Sequence, residues 1–448
     1  MTVVRRTRAT SGSTMTRSAI QEVREIVAEG LASAGDDHAD RSDARVRARR
    51  LAEEALAERA RRLRGDGSAP PMAEDADSIV DGVLDILFGL GGLQRLIEDA
   101  SVENIDVNGF DEVWVTRSDG TKERAGQAAA SDEELVAIVR AASARFGLSE
   151  RRFDAAQPEL DLRLPDGSRL SAVMAVTKRP VVDIRRHRLV DNTLDDLVAL
   201  GSLSDEAAAF LAAAVRARQN ILVSGAMNAG KTTMLRALAA EIPPGERIVT
   251  IEQALELGLD EQLERHPDCV AMEARLANTE GVGAIGVAQL VRRSLRMNAS
   301  RVIVGEVLGD EVVPMLNAMS QGRSGSMATI HADSSAGVFR RLASYAVQAP
   351  ERLPLEASNL LIAGSVHLVV HLESREAGGA DRGARRYIAS IREVVDADGP
   401  LVVSNEIWQP GPHGRAVIGS APSERTIAAL GRAGYEWTGY DRSEASIW

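Results

Sequence analysis

Residues 225–232 read GAMNAGKT, a phosphate loop of the form G-x-x-x-x-G-K-[ST], set between the apolar run NILVSG and the helical run KTTMLRALAAEI. A loop of this kind needs a strand to enter it and a helix to leave it, so it confines the surrounding chain to an α/β layout. Glycines let successive backbone N–H groups converge on a phosphate, and the helix N-terminus adds its positive end. Lys231 is expected to reach the β and γ oxygens, and Thr232 to offer its hydroxyl to Mg²⁺. Gly225, Ala226, Met227, Asn228, Ala229, Gly230, Lys231, Thr232 and Thr233 are therefore the expected ATP-binding positions. Lysine occurs only at Lys122, Lys178 and Lys231, which makes a chance match rare. An ordinary glycine-rich turn is the plain alternative.

Downstream of the loop, short β-rich runs (ERIVTIE, SRVIVGE) alternate with helical stretches, which implies a mostly parallel sheet covered on both faces. Upstream the pattern differs. Apolar residues recur at helical spacing over 79–97, then IDVNGFDEVWVTR alternates around an Asn-Gly pair as a β-hairpin does, and LDLRLPDGSRLSAVM gives a second hairpin with Asp166 and Gly167 at its tip. These describe a small α+β domain over 75–188, followed by a linker over 189–203 and a helix capped by Ser204 that opens the larger domain, 204–448. Residues 41–64 read as a charged helix broken by GDGSAPPM, the first 17 residues read as a disordered tail, and 1–74 are expected to be an extension outside the compact body. The segment from 386 to 410 reads as two strands around an Asp-Gly turn, with a closing helix near Ile427.

Several residues beyond the loop fit nucleotide chemistry. Glu306 ends the run RVIVGE, where the carboxyl end of a parallel strand meets a ligand crevice, so it can hold the Mg²⁺ shell or polarise the attacking water. Glu252 closes the similar run RIVTIE and is a candidate to orient or deprotonate that water. A solvated strand-end glutamate is the alternative for both. His331 follows the glycine loop of residues 322–325 on a short strand, where an imidazole can sense the γ-phosphate, although a lone histidine is more often structural. Arg185, Arg186 and Arg188, in the run DIRRHR, suit a triphosphate clamp or a solvated basic edge equally.

Composition narrows the function classes. At 448 residues the chain exceeds one average domain, and with 3% aromatic residues its cores must be aliphatic. Cys269 is the single cysteine, so no intrachain disulfide and no cysteine-based zinc cluster is available. The apolar runs are too short to span a membrane. Net charge is −12 although residues 1–64 are net basic, leaving a strongly acidic body that disfavours nucleic acid as a partner.

Taken in order, SVENIDVNG, LRLPDGSRL, the phosphate loop, ERIVTIEQALEL, MEARLANTEGVG, the long segment from LRMNASRVIVGE to SMATIHADS, RRYIASIREV and GPLVVSNEIWQPGPHGRAV resemble the secretion ATPase superfamily over residues 93–433. The resemblance is nearest to the CpaF/TadA-type ATPases of tad/Flp pilus assembly, relatives of the type II and type IV secretion ATPases. It implies a RecA-like P-loop ATPase domain preceded by a small α+β domain, with ATP and Mg²⁺ as cofactors. Glu252 then falls in the acidic box, Glu306 in the Walker B position and His331 at the second histidine of the histidine box. Arg275, with Arg185 or Arg186, falls where flanking segments bring arginines to the phosphates. The same resemblance implies a cytoplasmic homohexamer, peripheral to the inner face of the membrane, driving a polytopic inner-membrane platform protein.

Three positions depart from the family pattern. Gln253 stands where the acidic box usually has Asp, Arg323 replaces the first histidine of the histidine box, and Asn298-Ala299-Ser300-Arg301 stands for R-P-D-R. Lys231, Thr232, Glu252 and Glu306 persist, so hydrolysis is expected. The altered boxes motivate a second reading, a nucleotide-binding scaffold or regulatory ring with weak turnover. A DNA-translocating ATPase is a third, which the acidic body disfavours.

Overall fold

A computed structural model describes residues 7–33, 41–66, 73–147, 152–186, 192–278, 280–321, 324–376 and 384–438. The chain divides into two compact units, Met1–His187 and Arg188–Trp448.

The first unit opens with α1 (Thr7–Ser33), α2 (Arg41–Gly65) and α3 (Ala73–Phe88). The first 17 residues, expected to be a disordered tail, are helical from Thr7; residues 1–6 lie outside the described ones. Helices α1 and α2, expected to lie in an extension outside the compact body, pack against α3. Ala19, Val23 and Val27 of α1 and Ala48, Ala52 and Leu56 of α2 recur at helical spacing and bury against Ile79, Val83 and Leu84 of α3. The small alanines that let the helices approach are what hid this stripe among charged neighbours. Arg24 of α1 also pairs with Glu134 at 3.2 Å.

A short helix α4 (Gln94–Glu98) leads to β1 (Val102–Asn108), β2 (Val113–Arg117) and β3 (Lys122–Arg124), then α5 (Asp132–Phe146), β4 (Glu159–Arg163), β5 (Arg169–Val173) and β6 (Val181–Arg185). The six strands form one sheet in the order β3-β2-β1-β6-β5-β4, antiparallel throughout. Both expected hairpins are present, β1 with β2 and β4 with β5. Alternating residues such as Ile105, Val107, Leu170 and Ile184 bury one face beneath Leu135 and Val139 of α5.

In the second unit, the stretch 189–203 is not a plain linker: it holds α6 (Leu194–Ala199). Thr193 and Asp196 form a reciprocal capping box at its start, and Leu194 and Leu197 bury into the core. Then follow α7 (Asp205–Arg216), whose cap Ser204 accepts from the Ala207 amide, β7 (Ile221–Gly225), α8 (Lys231–Ala239), β8 (Ile248–Glu252), β9 (Cys269–Glu273) and α9 (Val287–Ser294). The chain continues through β10 (Arg301–Val307), α10 (Val312–Ser320), β11 (Met327–His331), α11 (Gly337–Gln348) and α12 (Leu355–Ser365). It closes with β12 (Leu368–Glu376), β13 (Ala384–Asp398), β14 (Leu401–Pro410), β15 (Ala416–Ile418) and α13 (Glu424–Arg432).

These nine strands make one sheet in the order β15-β14-β13-β12-β7-β11-β10-β8-β9. From β12 to β9 every neighbouring pair is parallel, while β13, β14 and β15 extend the sheet antiparallel. The central strands β7 and β8 are buried at every position because helices cover both faces. The parallel register brings the carboxyl ends of β7, β11, β10 and β8 side by side, and the candidate site is built there.

Candidate functional site

Strand β7 ends at Gly225, and the chain turns through Ala226–Gly230 into α8. Two glycines are required by geometry. A Cβ on Gly225 would stand 2.5 Å from the Leu372 carbonyl of β12, and Gly230, the N-cap of α8, holds φ at +92°. Asn228 also adopts a left-handed conformation, at φ +60°. The result is a tight loop at a helix N-terminus, whose first amides have no partner within the helix. Met227 at its tip is exposed, and Thr232 and Thr233 are half-buried.

Lys231 is the first residue of α8, and its Nζ donates to the Ala226 carbonyl at 3.0 Å and lies 3.1 Å from Nδ1 of His331. His331 ends β11, the strand beside β7, and its Nε2 is 2.8 Å from Oε1 of Glu306 on β10. An ammonium only donates, so Nδ1 is the acceptor and Nε2 carries the proton given to Glu306. One strand further along the sheet, Glu252 closes β8 and is only 3% exposed. Its Oε2 accepts from the amides of Glu256 at 2.8 Å and Leu257 at 3.0 Å, and burial pushes the carboxyl up to about 7. Space for it is made by Gly305 of β10, where a Cβ would lie 2.8 Å from Glu252 Cγ. Gly305 and Leu372 were not singled out from sequence. The small residue before Glu306 was a readable sign of the first; the second acts through its backbone carbonyl and leaves no side-chain signature.

The structure therefore brings Lys231, His331 and Glu306 into one contact chain above the phosphate loop, with Glu252 adjacent. The arginines are placed otherwise. Arg275 follows the edge strand β9, and its Nε donates to the Gly283 carbonyl at 2.8 Å within its own loop. Arg186, in the first unit, donates to the carbonyls of Asp99 and Val102. Arg185 is the last residue of β6, paired in register with Asn104 and Arg169. Arg188, Gly322 and Arg323 lie outside the described residues. Gln253 is exposed at the end of β8, while Arg301 is fully buried and grips Glu246 through two N–H groups, at 2.9 and 2.7 Å.

The donor set suits Mg²⁺ delivered with a nucleotide. Among the described residues no group of three or more His, Cys, Asp or Glu is placed to hold a metal by itself. Mg²⁺ bound with phosphates takes only one or two protein oxygens, and the Thr232 hydroxyl and the Glu306 carboxylate are oxygens of the kind it takes.

A sequence model of the family described as type II/IV secretion system protein matches residues 88–392. The chain belongs to that family. It is 36% identical to a conjugal transfer protein of Mycobacterium tuberculosis over 331 residues, covering 72% of this chain and 89% of that protein. It is 30% identical to the type IV secretion system protein PtlH of Bordetella pertussis over 345 residues, covering 70% of this chain and 97% of the relative. Among solved structures, the VirB11 ATPase of the Brucella suis type IV secretion system, in complex with sulphate, is 27% identical, covers 68% of this chain and 97% of its own, and aligns with a TM-score of 0.36. No helix among the described residues of this family member is long and apolar enough to cross a membrane.

Proposed function

We propose that this chain is a Mg²⁺-dependent ATPase with a RecA-like motor domain, working as a homohexamer that drives a polytopic inner-membrane platform protein in pilus assembly or protein secretion. The observation that carries the reading is the contact chain from Lys231 through His331 to Glu306 over the phosphate loop. In it a phosphate-binding cation and a metal- or water-holding carboxylate are coupled by an imidazole. Loop amides and Lys231 bind the β- and γ-phosphates, and Thr232 and Glu306 hold Mg²⁺, which neutralises charge on the phosphates. Glu252 orients or deprotonates the attacking water once ionised, and His331 keeps Glu306 aligned. Family membership supports the secretion setting, and the sequence resemblance favours the CpaF/TadA type, cytoplasmic and peripheral to the membrane.

A second reading, a nucleotide-binding scaffold with weak turnover, is favoured by Gln253 and Arg323 in the altered boxes. One experiment separates the two. Steady-state ATPase is measured for the purified chain beside Lys231→Ala and Glu306→Gln, with oligomeric state followed by mass photometry as nucleotide is added. The motor reading expects Mg²⁺-dependent turnover lost in both variants, with hexamers present. Rings without turnover above the variants would establish the scaffold instead.

A further inference from the structure

The side of the phosphate loop away from Glu306 is formed by β12 and β13, and an arginine lies there that the reading above leaves unused. Arg386 of β13 pairs in register with Ser374 of β12. Its side chain approaches the loop at Gly230, where an added Cβ would stand 3.3 Å from Arg386 Cδ. The residue is exposed. Among the described residues its guanidinium has neither a hydrogen bond nor an ion pair. Arg392, further along the same strand, is by contrast tied to Glu406 at 3.0 Å and to Ser335 at 3.1 Å. An arginine with no acceptor among the described residues, whose stem lies beside the residue that caps an anion-binding helix, is suited to an anionic ligand.

The sheet order says which end of the nucleotide it meets. Across the sheet the strands run β13-β12-β7-β11-β10. Lys231, His331 and Glu306 form their chain toward β11 and β10, so the γ-phosphate and its Mg²⁺ belong on that side. A triphosphate laid over the loop with its γ end there carries its α-phosphate and nucleoside back toward β12 and β13. We infer that Arg386 binds the α-phosphate end of the nucleotide, holding ADP and ATP alike and taking no part in cleavage of the γ-phosphate. The inference rests on the nucleotide site proposed above.

The test titrates the full chain, Arg386→Ala, Arg386→Lys and Arg385→Ala with ADP carrying a methylanthraniloyl fluorophore, and measures ATPase in parallel. Arg385 is the neighbouring control, because strand alternation turns it to the opposite face. Loss of a charge-assisted hydrogen bond to phosphate should weaken ADP binding and raise KM for ATP about tenfold or more in Arg386→Ala. The expected kcat stays within about threefold, with partial recovery in Arg386→Lys and none of these changes in Arg385→Ala. Unchanged ADP affinity in Arg386→Ala, or a fall in kcat at constant KM, would overturn the assignment. Failure of the unmodified chain to bind ADP would instead remove the nucleotide site itself. Thermal midpoints without nucleotide should match across the set, since Arg386 is exposed and unpaired; a lowered midpoint for Arg386→Ala with normal binding in Arg386→Lys would make the residue structural.

Discussion

The ammonium of Lys231 stands 3.1 Å from Nδ1 of His331, although the two residues are one hundred positions apart in the chain. Because Lys231 also donates to the Ala226 carbonyl, the loop holds its cation in place before any phosphate arrives. The other imidazole nitrogen holds Glu306 at 2.8 Å. Replacing His331 with Ala should therefore leave the loop and Lys231 able to bind nucleotide while Glu306 loses its alignment. The expected result is ADP affinity within about threefold and kcat lowered about tenfold or more, in the range of a lost positioning or proton-transfer group. Nucleotide titration beside steady-state ATPase checks it, and equal losses in binding and turnover would mean that His331 shapes the loop itself.

Gly225 has no room for a side chain, since the Leu372 carbonyl stands 2.5 Å from where its Cβ would be. Gly225→Ala must push β12 from β7 or deform the loop, at a cost of about 1–3 kcal/mol. We expect a lower urea midpoint together with loss of nucleotide binding. Gly245→Ala serves as the comparison, because nothing lies within 4 Å of its Cβ position; it should change stability by less than about 0.5 kcal/mol. Equal midpoints for the two variants would show that the close approach to Leu372 is not a constraint.

Short-range patterns carried much of this fold. The strand entering the phosphate loop, the helix leaving it, the two antiparallel hairpins and the cap at Ser204 each have a local chemical reason, and each stands where its residues put it. What local spacing cannot hold is the order of strands. That β12 lies beside β7 and β13 beside β12, so that Leu372 and Arg386 reach Gly225 and Gly230, depends on pairings between distant segments. Helix α6 was hidden for a different reason: its cap pairs Thr193 with Asp196, where the usual box has Glu or Gln. Lys231 and Glu306 were candidates by residue type and position, one at a helix start and one at a strand end; that His331 stands between them follows only from the parallel register that sets β11 between β7 and β10.

Asn220 shows how much a residue with no motif can carry. It is 1% exposed, and its amide donates to the carbonyls of Met319 at 3.0 Å and Ser365 at 2.6 Å. Its oxygen accepts from the amides of Gly325 at 2.8 Å and Ser326 at 3.0 Å. One side chain thus pins the start of β7 to the segments that precede β11 and β12. Asn220→Ala strands four buried groups, each costing about 1–3 kcal/mol when unsatisfied, so a net loss of roughly 3 kcal/mol or more is expected after relaxation. Asn220→Asp replaces the donating amide by an acceptor facing two carbonyls, so its destabilisation should ease as pH falls and the carboxyl protonates. Urea unfolding of both variants at pH 5 and pH 8 tests this, and a pH-independent Asp variant would contradict it.

Glu252 gives the protein a pH dependence whose sign can be worked out. Burial raises its folded carboxyl from the ordinary 4.5 to about 7, so the folded state holds this proton more tightly than the unfolded chain. The stability that results is fully present below about pH 4.5 and is lost as pH rises through 7, a difference of roughly 3 kcal/mol. Glu252→Gln is permanently neutral and keeps an oxygen for the amides of Glu256 and Leu257. The variant should therefore match the unmodified chain near pH 4.5 and exceed its stability by roughly 3 kcal/mol at pH 8. On the proposed role of Glu252, turnover should move the opposite way, because a carboxylate that activates water must be ionised: the unmodified chain should gain kcat through pH 7, and the variant should show low kcat with no such rise. Urea unfolding and kcat profiles between pH 5 and pH 8.5 measure both. Parallel stability curves would deny that the buried carboxyl is protonated, and an active variant with an unchanged pH profile would move the base elsewhere in the site.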